Sequence, residues 1–470
     1  MRRFCIVGIT LLLVVPGCSF RPPNLTDPGA YPDARPADDA GPEEPPDAGP
    51  GCADGELRAV LRVGGAAVTE QPGPYVHALV GDVVEISAAG SCAGDDVLSY
   101  EWSIDPDDGI VDTALPALAD GPETFSVYSA TGGAYTVTLT LRGSGDRSEQ
   151  ASVVAFQAHG WQATAAPSVG VVADLDVGRG NLWIAGVHGL FSLPLAGPPD
   201  AIAPVEVNGG TVPTALQVVL LDQDTGFLWV GRSASSDDAS RLDLATDPPE
   251  IDRIPFDGSN ALGDDAQVRD IVAFGGGSVV LATSRGITAV DGLEDRFSGR
   301  TRPDNQNPEA VTFGTGRLVA GSRRIYNLND PANGIFDAGV GGADNKIRTM
   351  AIDAENRVLW LGTAGEGMVA FNLRDDTPLA TYTDSNSGLG SNTIRALAVE
   401  SEGRHEGDVW AATDKGVSRY IRQRETWIHM DDDHGLEGHV DVRALTVDTS
   451  ENRRVIYGGT TAGVVYIRVP

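Results

Sequence analysis

Seven copies of one short phrase run down the last two-thirds of the chain: a bulky residue, one or two small or apolar residues, then about three positions to a Gly before an apolar residue. They read Trp183-Ile-Ala-Gly-Val-His-Gly189-Leu190, Trp229-Val-Gly-Arg232, Val280-Leu-Ala-Thr-Ser-Arg-Gly286-Ile287, Leu318-Val-Ala-Gly-Ser-Arg-Arg324-Ile325, Trp360-Leu-Gly-Thr363, Trp410-Ala-Ala-Thr-Asp-Lys-Gly416-Val417 and Tyr457-Gly-Gly-Thr-Thr-Ala-Gly463-Val464. The lead residues stand 46, 51, 38, 42, 50 and 47 positions apart. A repeat of that length with short alternating strands and Gly turns is one four-stranded sheet, which buries its apolar face only against its neighbours. The expected architecture is all-β: a ring of seven such blades, a β-propeller, over residues 158–470.

Each unit opens with a strand-like run: Val171–Val177, Leu216–Leu221, Val268–Phe274, Ala310–Phe313, Ile347–Ile352, Ile394–Val399 and Val442–Val447. Fourth strands are visible at Pro378–Tyr382 and Glu425–His429. The last copy stops after its third strand, Val464–Val469, whereas an orphan piece, Gly160-Trp-Gln-Ala-Thr164, precedes the first copy and is similar to Glu425-Thr-Trp-Ile428. The N-terminal piece is therefore predicted to complete blade seven, because a ring left open would expose a sheet edge and its core.

The 66 acidic residues outnumber the 34 basic ones, giving a formal net charge of -32, so a nucleic acid would be repelled over most of the surface. Arg2 and Arg3 precede an apolar run, Phe4–Val15, which is too short to span a bilayer but suits a signal segment. The run ends in Val15-Pro-Gly-Cys18, which resembles the bacterial lipobox. That resemblance implies a signal peptide over 1–18, lipidation of Cys18 and, with Ser19 following, an outer-membrane lipoprotein; ordinary secretory cleavage nearby is the alternative. The membrane is then touched through the anchor only. Residues 19–55 are rich in Pro, Asp, Ala and Gly and bury too little to order, so they read as a disordered tether. Export would let Cys52 and Cys92 pair as a disulfide.

Residues 56–157 alternate apolar and polar positions between turns, the pattern of a β-sandwich, with strands at Leu57–Val63, Val83–Ala88, Leu98–Ile104 and Tyr135–Leu141. Gly81-Asp-Val-Val-Glu-Ile-Ser87, Tyr100-Glu-Trp102 and Gly133-Ala-Tyr-Thr-Val-Thr-Leu139 together resemble a PKD-type immunoglobulin-like module. The resemblance implies a spacer or presenting domain with Trp102 in its core. Asp105-Pro-Asp-Asp-Gly109 reads as an acidic turn of that module, since it lacks the remaining ligands of a calcium loop.

Asp384-Ser-Asn-Ser-Gly-Leu-Gly-Ser-Asn-Thr-Ile-Arg395, with Trp410–Val417 and Asp433-His-Gly-Leu436, is similar to the propeller repeats in the periplasmic sensor regions of hybrid two-component histidine kinases. That likeness implies the propeller and, beyond it, ligand binding at the propeller face. No nucleophile elbow, phosphate-binding loop or His-Glu-x-x-His occurs, so no catalytic residue and no cofactor is assigned. His429, Asp431–Asp433, His434 and His439 offer metal-compatible groups but fall in an outer strand and a blade connector, and no metal site is assigned. Arg269, Arg348, Arg395 and Arg443 recur one residue into four first strands, where they would gather at the channel mouth to bind carboxylate or phosphate; the bland reading is that each pairs with a local acid.

The function expected from these features is a monomeric, lipid-anchored, non-catalytic protein presenting a propeller to a protein, glycan or small ligand. The alternative is an extracellular propeller enzyme, a lyase or hydrolase acting on a polymer.

Overall fold

A computed structural model describes residues 57–468, less the segments 64–65, 68–75, 80–81, 93–96, 106–109, 113–123, 130–132, 144–145, 166–167, 234–237, 256–265, 291–306, 329–334, 337–345, 402–405 and 450–453. The signal segment, Cys18, the tether, Cys52 and most of the acidic turn after Trp102 lie outside the described residues. Cys92 is disulfide-bonded.

Seven antiparallel sheets follow one another along the chain from residue 162. Their inner strands are Val172–Gly178, Leu216–Leu221, Val268–Ala273, Ala310–Gly314, Ile347–Asp353, Ile394–Val399 and Val442–Asp448, and the blades are numbered 1 to 7 in that order. Six sheets have four strands, and blade 3 shows three among the described residues. Each inner strand packs beside the next, and the seventh lies beside the first, so the blades form a closed ring around a central channel. Closure takes the predicted form: Gln162–Ala165 pairs antiparallel with Gly463–Tyr466 and becomes the outer strand of blade 7.

The repeated phrase is the second strand of each blade, and its bulky residue is packing. Trp229, Trp360 and Trp410 are fully buried, and Trp183 and Tyr457 nearly so. The small residue two places further on is small because the next blade sits on it. A Cβ on Gly362 would lie 2.6 Å from Ile394 of blade 6, and one on Gly459 would lie 2.4 Å from Val172, where blade 7 meets blade 1.

N-terminal to the ring, two sheets face each other. One contains Arg62–Val63, Ala66–Ala67, Val83–Ser87, Ile110–Asp112 and Thr124–Ser129; the other contains Val76–Leu79, Val97–Asp105, Gly133–Gly143 and Ser148–His159. The alternation in Tyr135, Val137, Leu139 and Leu141 places all four in one core with Leu61, Ile86 and Val127. Two expectations need correction. The first expected strand shortens to Arg62–Val63, with an isolated bridge from Arg58 to Cys92 upstream. Trp102 is half-buried against the core and Tyr135 takes its centre, because the strand carrying Trp102 is an edge of its sheet and is covered from one side only.

The sandwich is joined to the ring by more than the chain. Leu79 is buried in the same apolar cluster as Trp161, Trp410 and Met430 of blades 6 and 7. Three residues on, Asp82 accepts from the Leu79 backbone N–H at 3.0 Å and from the Arg419 guanidinium at 2.8 Å. Arg419 is fully buried, donates twice to Asp408 at 3.0 and 2.6 Å and lies 5.3 Å from the Trp410 ring centre. A guanidinium removed from water is tolerable only while both carboxylates hold it. Asp82→Asn should therefore lower stability by about 3 kcal/mol, the low end for breaking a buried pair because Asp408 remains. Urea denaturation measures it; an unchanged midpoint would mean that Asp82 does not hold Arg419 in solution.

Candidate functional site

The four recurrent arginines meet, and the backbone explains how. In six blades the pairing of the first two strands slips by one residue at the start of the inner strand, between Val172 and Asp174, Leu216 and Val218, Val268 and Asp270, Ile347 and Thr349, Ile394 and Ala396, and Val442 and Ala444. The skipped residues are Ala173, Gln217, Arg269, Arg348, Arg395 and Arg443. A bulge of this kind leaves one residue unpaired and re-aims its side chain. All six line a single cavity of about 440 Å³ at the mouth of the channel. Blade 4 has no slip at Ala310 and contributes Glu309 instead.

The charges there are unequally matched. Glu309 accepts from Arg269 at 2.6 Å and from Lys346 at 2.9 Å, bridging blades 3, 4 and 5. Asp441 lies 2.8 Å from Arg395 and 2.9 Å from Arg443. Arg348, between these two clusters, is exposed and makes no ion pair among the described residues. The arginines converge on one mouth, and three of them carry local counter-ions. Sequence reasoning missed Glu309, Lys346 and Asp441. Their signal was present, since each stands immediately before the buried apolar residue that opens its inner strand, as each Arg stands immediately after it.

The histidines expected near blade 7 keep separate company. His429 bonds Ser418 Oγ at 3.0 Å and the Lys415 carbonyl at 3.1 Å, His434 bonds Asp431 at 2.9 Å, and His439 bonds Thr460 Oγ1 at 3.1 Å. Asp431 caps the short 3-10 turn Asp432–His434 that links blades 6 and 7. Among the described residues no three His, Cys, Asp or Glu side chains gather as a metal would require. A second cleft of about 440 Å³ lies between blades 1 and 2, lined by Arg179, Trp183, Glu206 and Asp247 among others.

No protein-family model matches the chain, and no curated protein does. Solved structures do. One is the extracellular domain described as that of a hybrid two-component system of B. thetaiotaomicron, 20% identical with a TM-score of 0.52 over 70% of this chain and 43% of its own. Another, from the same organism, is the extracellular domain described as that of a one-component system, 15% identical with a TM-score of 0.50 over 65% of this chain and 39% of its own. What they share with this chain is the fold. The chain spans less than half the length of either structure.

Below the mouth the propeller channel is lined by carboxylates that act as backbone acceptors. Asp174 and Asp176 of blade 1 accept from the Val219 and Leu221 N–H groups of blade 2 at 2.9 and 2.6 Å, and Asp270 of blade 3 accepts from Val311 of blade 4 at 2.8 Å. They stitch neighbouring inner strands where no ladder exists. Each is half-buried by surface area but surrounded closely by protein on the inner strands. Desolvation accordingly dominates over these hydrogen bonds: the carboxyl of Asp176 is pushed up to about 6, that of Asp270 to about 7, and that of Asp174 well above its usual range.

Groups that hold protons more tightly folded than unfolded favour the folded state as the pH falls. For Asp270 the window runs from about 7 down to the ordinary 3.8. Relief of acidic self-repulsion acts in the same direction. The urea midpoint should therefore be higher at pH 5.5 than at pH 8, and Asp270→Asn should reduce that difference. A midpoint that falls on acidification through this window would contradict the assignment.

Proposed function

We propose that this is an exported, non-catalytic binding protein whose ligand sits in the channel mouth of the propeller. The observation that carries the reading is the cavity itself: bulged residues from six blades are aimed into one mouth, and four of them are Arg. Guanidinium groups bind and orient anionic oxygens without doing proton transfer at neutral pH. Among the described residues the lining includes no His, and its one carboxylate, Glu309, is held by two cations. A general acid–base pair would need two such groups within reach of one substrate atom.

The remaining parts extend the reading. Cys18 carries the lipid, residues 19–55 act as the tether, and the PKD-like sandwich over 56–157 holds the propeller off an outer membrane. The rigid junction through Arg419 and Asp82 suits presentation, because it fixes the sandwich on blades 6 and 7. The two solved structures named above are extracellular domains, which supports placing the propeller outside the cytoplasm. Among the described residues no helix is long and apolar enough to cross a membrane.

The test is a thermal-shift and mass-spectrometric panel of neutral and acidic oligosaccharides and small metabolites. At least one compound should stabilise the protein and be recovered chemically unchanged. Ala173→Trp, which fills the mouth, should abolish that stabilisation while leaving the unliganded melting temperature within about 2 °C. Recovery of a cleavage or elimination product would favour the propeller-enzyme reading. Stabilisation indifferent to Ala173→Trp would move the site elsewhere, with the cleft between blades 1 and 2 the next place to look.

A further inference from the structure

We infer that the ligand is a small molecule or chain end bearing two or more anionic groups, anchored by Arg348 and shared with the Arg395 and Arg443 side of the mouth. The inference rests on the reading of the mouth as the ligand site and adds the ligand's chemical class. It stands on how the charges are distributed. Arg269 and Lys346 share one carboxylate, Glu309, and Arg395 and Arg443 share another, Asp441. Arg348 lies between the two clusters with no counter-ion among the described residues. Among the described residues at the rim, five cations thus face two carboxylates, the Asp174 and Asp270 carboxylates one residue further in being taken up by backbone N–H groups, and the rim inverts the sign of a chain whose net charge is -32.

Hydrogen-bonding capacity is unspent on the same side. Arg395 lies 2.8 Å from Asp441 as an ion pair but without an aligned hydrogen bond, so its terminal Nη donors are not committed to that carboxylate. A network built only to close the ring would match each cation with an acid and would gain nothing from an exposed, unpaired Arg at a bulge. The opposite wall is Ala173 and Gln217, which leaves room without charge. One anionic group engages Arg348 by two parallel hydrogen bonds, and a second reaches the spare donors of Arg395 and Arg443. Size is limited from both directions. A cavity of about 440 Å³ suits one small ligand or the end of a chain, and the acidic surface repels a long polyanion. Polycarboxylates such as uronate-ended oligosaccharides and polyphosphates share this chemistry.

Titration calorimetry on the purified protein at low ionic strength, with trigalacturonate, citrate, pyrophosphate and neutral maltotriose as probes, tests the inference. At least one anionic probe should bind and maltotriose should not; the tighter of the carboxylate and phosphate arms identifies the source. Arg348→Gln should weaken that binding about tenfold or more, and Arg348→Lys by less, because it keeps the charge but loses the fork. Glu309→Gln should strengthen it several-fold by freeing Arg269 and Lys346. Arg348→Gln should leave the unfolding midpoint unchanged. Maltotriose binding abolished by Ala173→Trp but untouched by Arg348→Gln would overturn the anionic class and leave the mouth as the site. Anion binding indifferent to both substitutions would overturn this inference and the mouth reading together. Weaker anion binding in Glu309→Gln would overturn the inference by showing its ion pairs to be structural, and so would absence of heat with every probe.

Discussion

Four residues near the start of the ring, Gln162–Ala165, hydrogen-bond to the last strand of the chain, and the rest of the propeller depends on that pairing. Without it, blade 7 would end on an open edge and the apolar seam between blades 7 and 1 would face water. That seam is tightly fitted. Val172 of blade 1 rests against Gly459 of blade 7, and Tyr457, Val464 and Tyr466 share a buried cluster with Leu175, Ile184 and Phe191. Non-local closure of this kind carries the loop entropy of some 300 residues, which grows only slowly with length and is offset by a continuous apolar girdle. The closing strand follows the last sandwich strand, Ser148–His159, after only two residues.

A closed ring makes the channel mouth a common address for equivalent residues of all blades. The bulge then decides which residue is presented there. Because the same one-residue slip occurs in six inner strands, a single repeat position becomes a circle of side chains around one cavity. The chain uses that position unevenly: Arg in blades 3, 5, 6 and 7, uncharged in blades 1 and 2, and replaced by Glu309 at blade 4. One residue further in, Asp174 and Asp270 serve the scaffold by accepting backbone N–H groups of the following blade. Adjacent repeat positions thus divide the work between presenting charge and stitching blades.

Much of the fold was legible because it rests on local pattern. The seven phrases located every second strand, and the similarity of Gly160–Thr164 to Glu425–Ile428 exposed the closing strand. What depends on three-dimensional neighbours was not legible. Trp102 has the residue type of a sandwich core but sits on an edge strand, which sequence alternation cannot show. The Asp82 and Arg419 pair joins positions hundreds of residues apart in unrelated modules. At the mouth, recurrence of Arg pointed to the right place, yet the shared counter-ions Glu309 and Asp441 became visible only once neighbouring blades were side by side. The bulge had no mark in the sequence beyond that recurrence.

Closure is the claim on which the mouth, the seam and the junction all rest, and a crosslink tests it directly. Thr164 and Val464 are paired neighbours, and both are buried. Directly paired strand residues have Cα separations of about 4.5–5.5 Å, within the span of a disulfide. With Thr164→Cys and Val464→Cys together in the otherwise intact chain, the two introduced thiols are expected to bond on mild oxidation, identified by peptide mapping, and to raise the melting temperature. Thiols that both remain free and reactive in the folded protein would contradict closure by this strand.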